Sequence, residues 1–184
     1  MTVVLDSSVG IALVRPEVGS SLARLAVDRW SRDRTELVVP SLFWIEVVNA
    51  LTKGHRTTGA TVIEALYELD QIRLTTVDIE RPIILAALDL IERWGLTSYD
   101  ATYLALARAR DAELATFDRE LIVAGGARVV DLYDGRPHRF AERPTSYGTS
   151  AERAVTWPTW PGAGSYLATL RRRATGSAVP GDTA

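Results

Sequence analysis

The stretch T-V-V-L-D-S-S-V, residues 2 to 9, decides how the rest of the chain is interpreted. Residues 2 to 5 form a short apolar and β-branched run, which is typical of a buried strand, and this run ends abruptly at Asp6. Ser7 and Ser8 follow, and small hydroxyl residues at such a position favour the start of a helix. We therefore expect a strand, an acid at its carboxyl end, and then a helix.

The same alternation of short strands and amphipathic helices continues to residue 134. Further strands are predicted at residues 37–39, 74–77, 113–115 and 128–132. Further helices are predicted from Pro16 into residues 32–34, at 42–51, 57–69 and 81–94, at 99–110 with Ser98 as the N-cap, and from Asp118 to Gly125. Strands that alternate with helices predict an α/β/α sandwich around a central parallel sheet of about five strands.

The composition excludes several classes of protein. The chain has 184 residues, of which 47% are hydrophobic and 24% charged, as in a globular protein of one ordinary domain. It has no cysteine, which excludes disulfides, zinc fingers and cysteine nucleophiles and favours the cytoplasm. The first residues lack a basic segment and contain Asp6, so we expect neither a signal peptide nor a membrane span.

The last fifty residues differ from the rest of the chain. Residues 1–134 carry 14 basic and 20 acidic residues, a net charge of −6, whereas residues 135–184 carry 7 and 3, a net charge of +4. We divide the chain into a globular domain, 1–134, and a weakly or conditionally ordered extension, 135–184, which is basic and contains much of the Pro, Trp, Gly and Arg.

Three acids lie where a parallel sheet collects its ligands, at the carboxyl ends of strands. Asp6 follows the first strand directly, Asp118 lies just beyond the fourth, and Asp100 falls in the first turn of the helix that begins near Ser98. Each also has a simpler interpretation, because aspartate is common at helix N-termini, where it accepts backbone N–H bonds. Taken singly, each of these three acids is more often a cap than a ligand.

Glu46 is harder to explain as a structural residue. Its neighbours are apolar, and burial of an unpaired carboxylate costs several kcal/mol at order of magnitude, so it needs a partner or a shifted pKa. No basic residue is near it in the sequence. Helical spacing puts Asn49 on the same side, where its amide can support the acid or bond to local backbone, and we weigh the two about equally.

Converging acids repel each other unless a cation lies among them. Oxygen ligands select hard ions such as Mg²⁺ or Mn²⁺, and with only two histidines, His55 and His138, a zinc site is disfavoured. An acidic site with such an ion suits the hydrolysis of phosphodiesters by metal-activated water.

Four segments in this order resemble the PIN-domain family, and more closely the VapC-like ribonuclease toxins of type II toxin-antitoxin modules. The resemblance covers about residues 1–133. The segments are V-V-L-D-S-S-V (3–9), P-S-L-F-W-I-E-V-V-N-A-L (40–51), L-T-S-Y-D-A-T-Y-L-A-L-A (96–107) and L-A-T-F-D-R-E-L (114–121).

This resemblance implies a fold, an activity and partners. Residues 1–134 would be a PIN-like nuclease domain. Asp6, Glu46, Asp100 and Asp118 would be both the catalytic and the metal-binding acids, with Ser7 and Thr116 as supporting hydroxyls beside them. The implied enzyme is a Mg²⁺- or Mn²⁺-dependent endoribonuclease that leaves a 3′-hydroxyl and a 5′-phosphate. The implied partners are an RNA substrate, a second copy of the chain in a homodimer, and a cognate antitoxin protein.

The extension after residue 134 departs from the family pattern. Three interpretations stay open for it: a basic arm that binds RNA, a segment that covers the acids as an antitoxin would, or a disordered or packing extension, which we favour. Deletion of residues 135–184 distinguishes them. It would weaken RNA binding in the first case, raise basal cutting in the second, and change neither in the third.

Two other functions are considered. An aspartate-nucleophile phosphohydrolase also has an Asp after its first strand, but Ser8 stands where a second Asp is generally needed, and the only lysine is Lys53. A catalytically silent PIN-like module that binds RNA or protein is disfavoured because all four acids are present. No Walker loop, G-x-S-x-G elbow or G-x-G-x-x-G turn supports other enzyme classes.

Overall fold

The fold is that of a parallel sheet with helices between its strands, seen in a computed structural model that describes residues 1–54, 57–130 and 132. The extension predicted at 135–184 lies outside these residues. The strands are β1 Thr2–Leu5, β2 Glu36–Pro40, β3 Thr75–Val77, β4 Glu113–Ala115 and β5 Val129–Val130. The α-helices are α1 Ser7–Val14, α2 Ser20–Arg32, α3 Leu42–Asn49, α4 Gly59–Asp70, α5 Arg81–Trp94, α6 Ser98–Ala109 and α7 Arg119–Gly125.

The five strands form one sheet in the order β3-β2-β1-β4-β5, and each neighbouring pair is parallel. The central strand is β1, whose residues Val3, Val4 and Leu5 are fully buried because helices cover both faces of the sheet. This confirms the predicted α/β class and, for the part of the chain that the structure describes, the number of strands. Since β1 and β4 are parallel neighbours, the acids that follow them are brought to the same end of the sheet, where the strands have their carboxyl ends.

Most element boundaries agree with the sequence prediction, and the differences have local causes. The second helix begins at Ser20 and not at Pro16, after Gly19 adopts a left-handed conformation with φ of 106°. The cap of α6 is Thr97 and not Ser98, because the Thr97 hydroxyl accepts the Asp100 N–H. The helix predicted to end at Leu51 ends at Asn49, and a π-helical turn, Ala50–Gly54, continues it.

Two further boundaries are the end of α5 and the start of β5. The helix α5 ends as predicted, since Gly95 takes a left-handed φ of 71° that closes its last turn. The fifth strand is shorter than predicted, because a 3₁₀ turn, Gly126–Arg128, precedes it. Among the described residues, no helix is both long enough and apolar enough to cross a membrane.

Candidate active site

Asp6 is the most buried of the predicted acids, with 3% of its surface exposed, and hydroxyl groups hold its carboxylate. Ser8 Oγ donates to Asp6 Oδ2 at 2.5 Å, and Thr116 Oγ1 donates to the same oxygen at 2.8 Å. Burial raises the pKa of Asp6, while these hydrogen bonds oppose the rise because they favour the charged form. The carboxylate is therefore fixed in orientation at the end of β1.

Ser8 connects the two loops that follow the central strands. Besides donating to Asp6, its Oγ accepts the backbone N–H of Phe117 at 3.0 Å, and it lies 3.4 Å from Thr116 Oγ1. The supporting hydroxyl predicted from the sequence in this segment is Ser7, and Ser8 was missed. The signal for Ser8 was its position two residues after Asp6, from which a side chain in the first helical turn can bond back to a cap.

Glu46 projects from α3 and is held by a residue that sequence reasoning did not identify. Tyr103, which is fully buried in α6, donates its phenolic hydrogen to Glu46 Oε2 at 2.5 Å. The Ser7 side chain is close enough to the Tyr103 hydroxyl to lower its pKa, against the larger effect of burial. Burial raises the pKa of Tyr103 above its ordinary value, so the phenol keeps its proton and remains a donor to Glu46. A tyrosine one turn after Asp100 in the helical pattern was the available signal.

The pKa of Glu46 reports how its neighbours are placed. Burial, together with the negative charges of Asp6 and Asp100, raises this pKa from 4.5 to about 7, although the Tyr103 hydrogen bond lowers it. Asp6 follows β1, Glu46 lies in α3 and Asp100 lies in α6, so tertiary folding brings the charges of Asp6 and Asp100 near enough to act on Glu46. The structure therefore brings Asp6, Glu46 and Asp100 into electrostatic contact.

Asp100 is positioned by the cap of its own helix. Thr97 Oγ1 donates to Asp100 Oδ2 at 2.6 Å and accepts the Asp100 N–H at 3.1 Å. This reciprocal pair fixes the carboxylate at the N-terminus of α6, where the helix dipole favours a negative charge. The capping interpretation and a role in the site are thus compatible for this residue.

Asp118 caps a helix, as Asp6 also does for α1 by accepting the Ser8 N–H. It is the N-cap of α7, and its Oδ1 accepts the Leu121 N–H at 2.9 Å. It is connected to Asp6 through Thr116, whose Oγ1 accepts the Asp118 N–H at 2.9 Å while donating to Asp6. The backbone of Asp118 is therefore fixed beside the site, whereas its carboxylate caps a helix.

The helix that carries Glu46 is less buried than the sequence suggested. Ile45 is 73% exposed, and Asn49 is also exposed. Within the described part of the chain, the Asn49 amide makes no hydrogen bond to an acid. Its supporting role stays a prediction.

The acids of the site offer the type of donor atom that a hard divalent cation needs, but they do not form a complete coordination site. Every donor is an oxygen, as Mg²⁺ and Mn²⁺ require. Burial raises the pKa of Asp6, and burial with the charges of Asp6 and Asp100 raises that of Glu46, so a nearby cation would favour the charged form of both. Among residues 1–54, 57–130 and 132, no three acid or histidine side chains stand together in a position to hold a metal ion. A bound cation would have to draw the carboxylates closer.

Comparisons of the sequence with known proteins agree on one family. The family described as PIN domain matches residues 3–127. Ribonuclease VapC3 from Pyrobaculum aerophilum is 32% identical over 127 residues, which cover 66% of this chain and 92% of that protein. Exonuclease VapC9 from the same organism is 32% identical over 105 residues, or 56% and 79% of the two chains.

The fold gives the same answer. The solved structure described as a toxin-antitoxin complex from Klebsiella pneumoniae superposes with a TM-score of 0.56 at 22% identity, covering 71% of this chain and 98% of that chain. This likeness concerns the fold alone. The match over residues 3–127 and the 32% identity to Ribonuclease VapC3 show that the chain belongs to the PIN-domain family, among the VapC-like proteins.

Proposed function

We propose that the chain is a metal-dependent endoribonuclease and the toxin component of a type II toxin-antitoxin module. The observation that carries this proposal is the placement of Glu46 near Asp6 and Asp100, two acids from distant parts of the chain whose charges act on it. Acids placed in this way cost stability unless a cation neutralises them, and such perturbed groups cluster at functional sites. The relatives named ribonuclease and exonuclease support a nuclease.

In this proposal Asp6, Glu46 and Asp100 hold Mg²⁺ or Mn²⁺, and Asp118 joins them at the edge of the site. When bound, the ion would activate water for attack on a phosphodiester and neutralise charge on the phosphate. The protein's own part is positioning: Ser8 and Thr116 orient Asp6, Tyr103 orients Glu46, and Thr97 orients Asp100. Preorganised side chains of this kind reduce the rearrangement that the reaction requires.

The partners of the protein belong to the same proposal. RNA is the substrate, a second copy of the chain forms a homodimer, and a cognate antitoxin protein blocks the site. Support for the antitoxin comes from the VapC-like family and from the fold shared with a protein solved in a toxin-antitoxin complex. A silent binding module and an aspartate-dependent phosphohydrolase remain the alternatives.

The test is RNA cleavage in Mg²⁺ or Mn²⁺ by the full chain, with an EDTA control. Asp100→Asn should reduce the cleavage rate by two orders of magnitude or more, since removal of one electrostatic group typically costs about 10²–10³ in rate. Asp89→Asn, which changes an exposed aspartate on α5, is the matched control and should cut as the wild type does. Cutting in EDTA, or full activity of Asp100→Asn, would contradict the mechanism.

The mode of cutting can be tested separately, because one relative is named a ribonuclease and the other an exonuclease. A circular single-stranded RNA has no ends, so only an endonuclease can open it. We expect the circle to be linearised. Degradation of linear RNA alone would leave the nuclease assignment standing and contradict the endonucleolytic mode.

A further inference from the structure

Tyr99 stands out in α6 because it is a large aromatic residue that remains in solvent. It is 59% exposed, whereas residues 101–107 of the same helix are all buried. Tyr99 also directly precedes Asp100, one of the acids of the proposed site. An exposed aromatic ring at the start of so buried a helix calls for an explanation.

The helical spacing puts Tyr99 on the same face of α6 as Tyr103, which contacts the acidic site. Tyr99 and Tyr103 are four residues apart and so share one face of α6. Tyr103 lies at the inner end of this face, where its hydroxyl contacts Glu46 and Ser7. Tyr99 lies one turn nearer the N-terminus of α6 than Tyr103, and there its side chain is exposed.

Tyr99 has no structural role within the described residues that would account for its position. Neither its ring nor its hydroxyl has a hydrogen-bond or ring-stacking partner among them. By contrast, Trp44 packs edge-on against Phe43 and donates to Thr76 Oγ1. The Tyr99 ring is thus available to a ligand that approaches the acids.

The charge of the domain indicates which kind of contact can favour the binding of RNA near Tyr99. Residues 1–134 carry a net charge of −6, and the acids of the site repel a phosphate backbone, so contacts that do not depend on charge favour RNA binding to this domain. Stacking of a base on an aromatic ring is such a contact, and it requires a base that is not already stacked in a duplex.

We propose that Tyr99 is the stacking platform for one unpaired nucleobase of a single-stranded RNA segment, next to the phosphate that reaches the acids. This inference rests on the proposed ribonuclease function. The platform holds the RNA in place while the acids act on its backbone. It therefore sets a preference for single-stranded or looped RNA over duplex RNA.

The test measures binding and cleavage separately. The probe is a short, fluorescein-labelled 2′-O-methyl RNA of mixed sequence, which lacks the free 2′-hydroxyls of RNA, and binding to the full chain is followed by anisotropy in EDTA. Tyr99→Ala should weaken binding by roughly 5- to 150-fold, the range typical for loss of one stacked base. Tyr99→Trp should bind at least as well as the wild type, and a matched duplex probe should show no difference among the variants.

The control is Tyr67→Ala, because Tyr67 on α4 has a similar exposure of 66% and no acid of the site beside it. It should bind the probe as the wild type does. For cleavage, Tyr99→Ala should raise KM with little change in kcat, since the ring contributes to binding and not to the reacting groups. Both variants should unfold at the wild-type temperature, because both rings are exposed.

The outcomes separate this inference from the proposed function. If the wild type cuts RNA and Tyr99→Ala binds the probe with wild-type affinity, the platform is wrong while the ribonuclease stands. If Tyr67→Ala weakens binding as much as Tyr99→Ala does, the effect is not local and the platform is again wrong. If the wild type neither cuts RNA nor binds the probe, the proposed function fails, and the inference fails with it.

Discussion

Replacement of Glu46 by glutamine should stabilise the metal-free protein at pH 8. Burial and the charges of Asp6 and Asp100 raise the pKa of Glu46 from 4.5 to about 7, so ionisation of this side chain opposes folding. The glutamine side chain is neutral, of nearly the same size, and able to accept the Tyr103 hydrogen bond through its amide oxygen. The substitution therefore removes the unfavourable charge and retains the contact.

The size of the effect follows from the pKa. The difference between 4.5 and about 7 corresponds to about 3 kcal/mol at 1.36 kcal/mol per pKa unit. Glu46 is only half-buried, and solvent screens part of this interaction, so we expect about 1–2 kcal/mol. Because the pKa is raised in the folded state, the contribution of Glu46 to stability is fully present below pH 4.5 and is lost as the pH rises through about 7.

The assay is urea unfolding in EDTA between pH 5 and pH 8, followed by circular dichroism. The variant should be close to the wild type at pH 5 and more stable by about 1–2 kcal/mol at pH 8. Glu92→Gln, which changes an exposed glutamate on α5, should alter neither value. A Glu46→Gln protein that is less stable than the wild type at pH 8, or a difference that does not vary with pH, would refute the reasoning.

Two further substitutions test the packing around the site. Ser8→Ala removes a hydroxyl that donates to a buried carboxylate and accepts the Phe117 N–H, so we expect a loss of about 1.5–3 kcal/mol in urea unfolding; an unchanged midpoint would show that Ser8 does not hold the two loops together. Gly10→Ala puts a Cβ only 2.5 Å from the Phe43 ring and should cost about 1–3 kcal/mol, whereas Gly59→Ala, whose added Cβ meets nothing within 4 Å, should cost far less. Equal stability of the two alanine variants would contradict the close packing of α1 against α3.

The order of elements was predictable because each strand and helix is encoded locally. The β1 strand and the helix α5 occur at the predicted residues, since an apolar run, a proline in the first turn and a terminal glycine are each signals within a few residues of the boundary they mark. One helix start was predicted wrongly because two neighbouring residues could both serve as its N-cap. Thr97 and Ser98 are such a pair, and tertiary placement of α6 decided between them.

The acids could also be predicted as candidates, but the side chains that hold them could be predicted only in part. Asp6 and Asp100 were identified from their places at the ends of strands and starts of helices. Tyr103 lies in the apolar pattern of its helix, and only folding brings its hydroxyl to Glu46, 57 residues away in the sequence. Ser8 was missed although its partner Asp6 is two residues away, and its second partner, the Phe117 N–H, is 109 residues away and is brought to it only by folding.

The sequence by itself determined that this chain forms a parallel α/β sheet with acids at the carboxyl ends of its strands, because hydrophobic periodicity and capping residues act over short distances. It also carried the motifs of the PIN-domain family. Only the tertiary structure decided which acids act on one another and which side chains hold them. It joins Asp6, Glu46 and Asp100 electrostatically, leaves the Asp118 carboxylate as a helix cap, and keeps the Tyr99 ring in solvent. The physical reason is that electrostatic and hydrogen-bond energies depend on distances in space, which a sequence position does not contain.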